Sequence, residues 1–351
     1  DHSIFARATQ AMQTVLSDAG FQLLVGSSNY ESNTELQVVR AFQQRGVDAL
    51  VLVGTDHAAS MWDAVTQWGK PVLLSWSCDP RLPSVGFDNV TIAKHMTEHL
   101  LSLGHERIAV VSGFTANNDR ARSRIQGVRQ ALSAHGLRLP KELLIEQSYN
   151  LHGGRLALQQ LMQLDQPPTA IFCAMDLLAA GVLLEAQRLQ IDVPRTLSVC
   201  GIDNHELAEV ISPGLTTISL PTYELGRITA ERVLSALSGE TIPSQTILPF
   251  ELIVRGSTAK MRATKRPRLS HAMHINQSGR VNTVVVTALT HLRFKGLRIE
   301  QAYRKKDFSH VIQTQSSSLP NSYLSKRDNS VTCANLACQT RSTSGPVCAW
   351  W

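Results

Sequence analysis

The stretch TIAKHMTEHLLSLGHERIAVVSG, Thr91 to Gly113, carries two periodicities in one short run. Its first half sets Ile92, Met96, Leu100 and Leu103 at helical spacing, the stripe of an amphipathic helix. Gly104 stands where such a helix needs a residue tolerant of left-handed backbone. From Arg107 the pattern changes to a short apolar run, RIAVVSG, which predicts a strand. A helix, a glycine stop and a strand follow one another with almost no spacer.

The same alternation extends in both directions. Strands are predicted at FQLLVGS from Phe21, VDALVLVG from Val47, KPVLLSWS from Lys70, ELLIEQS from Glu142, TAIFCAM from Thr169 and TLSVCGID from Thr196. Helical stretches separate them, among them TELQVVRAFQQRG with Leu36, Val39 and Phe42 on one stripe. Gly20, Gly46 and Gly136 repeat the stop signal of Gly104. Repeated strand–helix–strand units imply a mainly parallel sheet covered on both faces. A body of this length, with about nine strands, divides more naturally into two such sheets than one. The opening DHSIFARATQAM reads as a helix with Ser3 as a candidate N-cap, and no strand precedes it. In a doubly wound fold the first strand is central, so the first strand is expected to be missing and the chain to be poorly stable.

Charge divides the chain. Residues 1–259 hold 19 Lys and Arg against 25 Asp and Glu, whereas residues 260–351 hold 15 against 3. The net charge of +6 therefore belongs to the tail. A mildly acidic body argues against a broad nucleic-acid face there. The tail, residues 260–351, is basic and unpatterned and is expected to be disordered or non-native; its KRPR run reads as solvated chain. No apolar run approaches a membrane span, and no signal peptide is visible at Asp1. The six cysteines form no paired CxxC pattern; Cys173 and Cys200, inside apolar runs, read as buried thiols of a cytoplasmic protein.

In parallel sheets ligands lie beyond the carboxyl ends of the strands. That rule selects Ser27, Ser28, Thr55, Ser75 to Ser77, Arg120 to Arg124, Tyr149, Asp176, Asp203 and Asn204. Three arginines within NNDRARSRIQG, at a helix start where positive charge is mildly unfavourable, call for a reason. Asp176 reads equally as a helix cap or a ligand contact, and Asp203 in GIDN as a ligand contact. Tyr149 is either a stacking wall for a sugar ring or an ordinary strand-end aromatic, and Trp76 reads as core packing. HMTEH, His95 to His99, fits a zinc-peptidase pattern, but no third ligand accompanies it and the same helix spends Met96 and Leu100 on packing. No nucleophile elbow, P-loop or dinucleotide motif follows any strand, so neither an enzyme, nor a metal, nor a cofactor is implied.

Taken in order, these pieces resemble the effector-binding core of the lactose/galactose/purine-repressor-type (LacI/GalR) bacterial transcription regulators. The matching stretches are SIFARATQAM, RGVDALVLVGT, VGFDNVTIAKHMTEHLLSLGHERIAVVSG, DRARSRIQGVRQAL, PTAIFCAMDLLAAGVLLEAQRLQIDVP, LSVCGIDN, PGLTTISLPTYELGRITAERVLSAL and RGSTA, which together cover residues 3–259. The resemblance implies an α/β fold of two Rossmann-like parallel-sheet subdomains around a ligand cleft. It places residues 1–103 and 221–241 in one subdomain, and residues 104–220 and 242–259 in the other. It implies a grip on the ligand by Arg124 and Asp203, an aromatic wall at Tyr149, and contacts from Phe5 and Thr55. Met175 and Leu220 stand where some relatives carry polar residues. The implied function is a homodimeric repressor whose effector is a sugar, sugar acid or phosphosugar. Operator DNA would be read only by a helix-turn-helix headpiece that this sequence does not contain. A periplasmic sugar-binding protein of a transport system shares the architecture and is the alternative.

Overall fold

The computed structural model describes residues 3–261 and 347–350. In chain order the elements are α1 (Ser3–Asp18), β1 (Gln22–Val25), α2 (Ser32–Gln44), β2 (Ala49–Val53), α3 (Ala59–Thr66), β3 (Val72–Trp76), β4 (Ser84–Gly86), α4 (Asn89–Ser102) and β5 (Ile108–Ser112). There follow α5 (Asp119–Ala134), β6 (Leu144–Glu146), α6 (Leu151–Met162), β7 (Ala170–Cys173), α7 (Asp176–Arg188), β8 (Ser198–Asp203), α8 (Glu206–Val210) and β9 (Thr216–Ser219). The chain continues through α9 (Thr222–Leu237), β10 (Gln245–Ile247), β11 (Glu251–Ile253) and β12 (Val347–Trp350). Local chemistry sets several helix starts: Asp88 accepts from the Val90 and Thr91 amides, Asn118 from Ala121 and Asn150 from Gly153.

Two six-stranded sheets result. The first runs β1-β12-β2-β3-β4-β10 and is parallel throughout. The second runs β11-β9-β8-β7-β5-β6, with only β11 antiparallel. Alternate residues of each strand feed different cores. Leu50, Leu52 and Leu74 pack with Val39, Phe42 and Met61 of α2 and α3, while Val51 and Leu73 pack with Met12 and Leu16 of α1. In the second sheet Ile171 and Cys173 face α6 and α7, and Phe172 joins Ile92 and Met96 of α4 on the other side. Both faces are covered, as near-continuous apolar strands require.

The lobe limits differ from those expected. α4 packs against α5, β7 and β9, so the chain enters the second lobe between Gly86 and Asn89 rather than at residue 103. The stretch 242–259 is divided: Gln245–Ile247 pairs with β4 in the first sheet, and Glu251–Ile253 with β9 in the second. α9 lies on α1, β3 and β4 of the first lobe.

The expected gap in the first sheet is also corrected. β12, from the far end of the chain, lies between β1 and β2 and pairs in parallel with both. Cys348 is in register with Leu23 and Ala49, and Ala349 with Leu24 and Leu50. Two facing rows of unpaired backbone groups would be costly to leave open, and an extended segment satisfies both. Part of the 260–351 tail is therefore ordered strand. Residues 262–346, with the KRPR run, Cys333 and Cys338, lie outside the described residues.

Candidate functional site

The three arginines of α5 have three different employments. Arg120 is buried, lies 3.0 Å from Asp119 and holds its guanidinium 5.9 Å from the Tyr30 ring centre. Arg122 reaches across to the first lobe and pairs with Asp56 at 2.6 Å, while also donating to the Thr115 carbonyl. Arg124 is buried; its Nε donates to Asn89 Oδ1 at 2.9 Å and its Nη1 to the Ala174 carbonyl. Ala174 follows β7, beside β5, where the strand order of the second sheet reverses. Such a reversal opens the crevice in which parallel sheets bind ligands.

Asp203, the last residue of β8, shares that crevice. Its backbone has φ +114°, and its Oδ1 is buried with no hydrogen-bond partner. Burial pushes its carboxyl well above the usual range; the Arg124 charge opposes this and the Asp176 charge adds to it. No direct ion pair joins Arg124 to Asp203. Tyr149 lies over Gly113, where an added Cβ would come within 2.1 Å of its ring. Burial raises the Tyr149 hydroxyl, and the charges of Arg124 and Arg120 pull it back.

Asp176 is neither a cap nor an open ligand group. Met175 occupies the cap position of α7, and both Asp176 oxygens are engaged. Oδ1 accepts from the Thr217 hydroxyl at 2.7 Å and Oδ2 from the His205 amide at 2.8 Å. It thus pins the turn that carries Asp203. Burial raises its pKa to about 7, against the pull of those donors. Met175 and Leu220 are packed into the cores.

The first lobe supplies the opposite wall. Phe5, near the start of α1, packs against Trp76 with ring centres 4.6 Å apart. Trp76 itself is buried, as expected, though at φ +72° and with Nε1 unpartnered. Thr55 bonds Asp119 of the second lobe, and its carbonyl accepts from Arg81 at 3.2 Å. Asp119 also accepts from the Ser77 hydroxyl at 2.6 Å. Burial opposes its ionisation, but Arg120, Ser77 and Thr55 outweigh this and hold its carboxyl below the usual range. A cavity of about 400 Å³ opens mainly on the first lobe, where Phe5, Ser27, Ser28 and Tyr30 line it, and is closed by Asn117, Asp119 and Arg120 of the second; Arg124, Asp203, Tyr149 and Thr55 do not line it. The structure therefore sets Arg124 near Asp203 and Tyr149 in the second lobe, while Phe5 lines the cavity and Thr55 bonds Asp119 across the lobes.

Three further contributors escaped sequence reasoning. Asn89 orients Arg124, Asp119 joins the lobes, and Glu35 bonds His57 at 2.8 Å beneath the cavity. Each acts through a partner distant in sequence, so no local spacing signals it. In HMTEH, His95 stacks edge-on to Phe250 and His99 meets the Thr258 hydroxyl at 3.2 Å. Among the described residues no three potential metal ligands cluster.

Two parallel-sheet lobes, linked by repeated crossovers around a polar cleft, define the periplasmic-binding-protein-like class of effector-binding cores. The family model for a periplasmic binding protein-like domain matches residues 97–258. The HTH-type transcriptional repressor CytR of Escherichia coli K12 is 30% identical over 260 residues, covering 72% of this chain and 75% of the repressor. The HTH-type transcriptional regulator GntR of the same strain is 30% identical over 263 residues, covering 73% and 77%. Among solved structures, the transcription regulator GntR of Chromobacterium violaceum matches with a TM-score of 0.69 and 31% identity, over 73% of this chain and 94% of that one. The chain belongs to the LacI family of transcription regulators. Its described lobes are the effector-binding core of a ligand-responsive repressor, not a transport receptor, and its relatives are regulators rather than enzymes. No helix of the described residues is long and apolar enough to cross a membrane.

Proposed function

We propose that this core binds a sugar or sugar derivative between its lobes and transmits its occupancy to a DNA-binding headpiece, as a homodimer in the cytoplasm. Arg124 donates to ligand oxygens, Asp203 accepts from a ligand hydroxyl, Tyr149 walls the ring, and Phe5 covers its apolar face. Thr55 and Asp176 serve as supports, one through Asp119 and the other through the turn bearing Asp203. The observation that carries this reading is the buried, unpartnered Asp203 Oδ1 facing the Arg124 charge at the strand ends. An orphaned buried acceptor is costly unless a donor arrives, and a hydroxyl supplies one. The effector acts by binding the closed and open arrangements of the lobes with different affinity. Calorimetric titration of the chain with a panel of sugars tests the reading. Arg124→Ala should weaken the best binder at least about tenfold. Undiminished affinity in that variant would remove Arg124 from the site.

A further inference from the structure

We propose that the slot between β1 and β2 is a binding site for an extended apolar strand, that β12 of this chain is its reversible occupant, and that its occupancy sets the shape of the cavity in the first lobe. β12 lies in parallel between the two strands, with Leu24 on one side and Leu50 on the other in register with Ala349. Residues 262–346 separate it along the chain from the rest of the sheet. β2, β3, β4 and β10 are joined to one another without it, and β2 and β3 are buried almost throughout. Withdrawing β12 therefore breaks two short ladders and leaves the centre of the sheet whole.

β1 is placed differently. Among the described residues its one neighbour in the sheet is β12. None of its four residues is fully buried: Gln22 and Val25 are exposed, and Leu23 and Leu24 are half-buried. With little apolar surface to hold it, β1 keeps its position largely through backbone bonds to β12. The cavity depends on both flanking strands. The chain leaving β1 lines it from Val25 to Tyr30, and the end of β2 and the turn after it add Val53, Asp56 and His57. Strands two places apart in a sheet stand about 9.5 Å apart, twice the usual spacing. An inserted β12 thus fixes the distance between these two walls. An empty slot lets β1 close onto β2 at a single spacing or fray from the sheet, and either moves the wall. Asn29 and Tyr30 have φ +51° and +65°, a conformation that must be held at both ends, and β1 is one of them. The Tyr30 carbonyl accepts from Asn117 of the second lobe at 2.9 Å, and its ring lies 5.9 Å from the Arg120 guanidinium. Strand occupancy is in this way coupled to a contact between the lobes.

The test is amide hydrogen exchange and NMR of the intact chain and of a chain lacking residues 347–351. In the intact chain the amides of β1 and β12 should open together, at least about tenfold faster than those of β2 and β3. Truncation should speed β1 exchange at least about tenfold, shift the resonances of Gly26 to Tyr30 and leave β3 unchanged. The peptide GPVCAWW, residues 345–351, added in millimolar excess under reducing conditions, should restore both signals where a scrambled peptide does not. Unchanged β1 exchange in the truncated chain overturns the proposal, as does a folded truncated chain that the peptide leaves unaltered. Loss of protection across the whole first sheet, or β12 opening only with β2 and β3 in the intact chain, makes β12 a fixed core strand and overturns it too. Restoration by an equimolar amount of intact chain transfers β12 to a second copy and removes the occupant proposed.

Discussion

Replacing Asp176 with asparagine should remove a pH dependence from the stability of the second lobe. The Asp176 carboxyl is buried, and its pKa rises from 3.8 to about 7. The folded state therefore holds this proton more tightly than the unfolded chain does. Stability from this group is complete below about pH 4 and declines as pH rises, levelling off above about pH 7. The full shift corresponds to on the order of 4 kcal/mol, of which about 2.5 kcal/mol falls between pH 5 and pH 7.5. Asparagine imitates the protonated acid: its oxygen accepts from the His205 amide while its NH₂ meets the Thr217 hydroxyl. Urea unfolding of both proteins at the two pH values reads the difference directly. The variant should gain on the wild type by about 2 kcal/mol at the higher pH. The comparison between proteins cancels contributions from other groups, His105 included. Asp203 is coupled to Asp176, so the flattening belongs to the pair rather than to one carboxyl. Parallel pH profiles for the two proteins would refute the reasoning.

Gly113→Ala places a methyl within 2.1 Å of the Tyr149 ring, which must swing away. Effector affinity should fall at least about tenfold, with a changed tyrosine signal in near-ultraviolet circular dichroism; unaltered affinity removes Tyr149 from the binding wall. His105 is held neutral by burial, with its ring nitrogens on Thr169, Ser198 and Ala259. Its stabilisation is complete above the ordinary value of 6.5 and is lost as pH falls below it, so its ring should titrate in NMR below that value. Ala349→Pro removes an amide donor from the middle of β12, between Leu24 and Leu50. It should cost about 3 kcal/mol or more, and β12 is not a strand in solution if the melting temperature is unmoved and the amides of Ala349 and Leu24 exchange freely.

The sequence made the alternation of the chain legible because its central strands are apolar and its helices end on glycine. All seven predicted apolar runs carry strands. β4, β10 and β11 are three residues each, too short to show a period. β9 was hidden by composition: Thr216 and Thr217 are fully buried, yet polar enough to read as loop. Their hydroxyls are spent on Asp176, Arg255 and Thr258, which is how the interior accommodates them. The division at residue 103 failed for a related reason. The apolar stripe of α4 shows that the helix is buried, but Ile92 and Met96 do not say against which sheet. The strand-end rule selected Asp203, Tyr149 and the run Arg120 to Arg124, and the family resemblance singled out Arg124. Asp119 was not, because its meaning comes from Ser77, 42 residues away. β12 lies beyond any local argument, since its partners are over 290 residues earlier in the chain.

The contacts that cross the cleft fix how an effector can act. Arg122–Asp56 is half exposed, at 46% and 34%, so screening leaves it worth little in water. The Asn117 side chain on the Tyr30 carbonyl is exposed as well. Asp119 with Ser77 and Thr55 is more sheltered and contributes more, as a charged acceptor with several donors. Together they amount to a few hydrogen bonds' worth of closure, on the order of a few kcal/mol. A closure of that size is stable enough to be defined and weak enough to be biased by one small molecule. Arg124 and Asp203 both belong to the second lobe, whereas Phe5 belongs to the first. On the proposed reading, a ligand held by the pair and covered by Phe5 would make its full set of contacts only when the lobes are together. The differential affinity that a ligand-responsive regulator requires would then follow from the proposed division of the site, without any contact being remade inside either lobe.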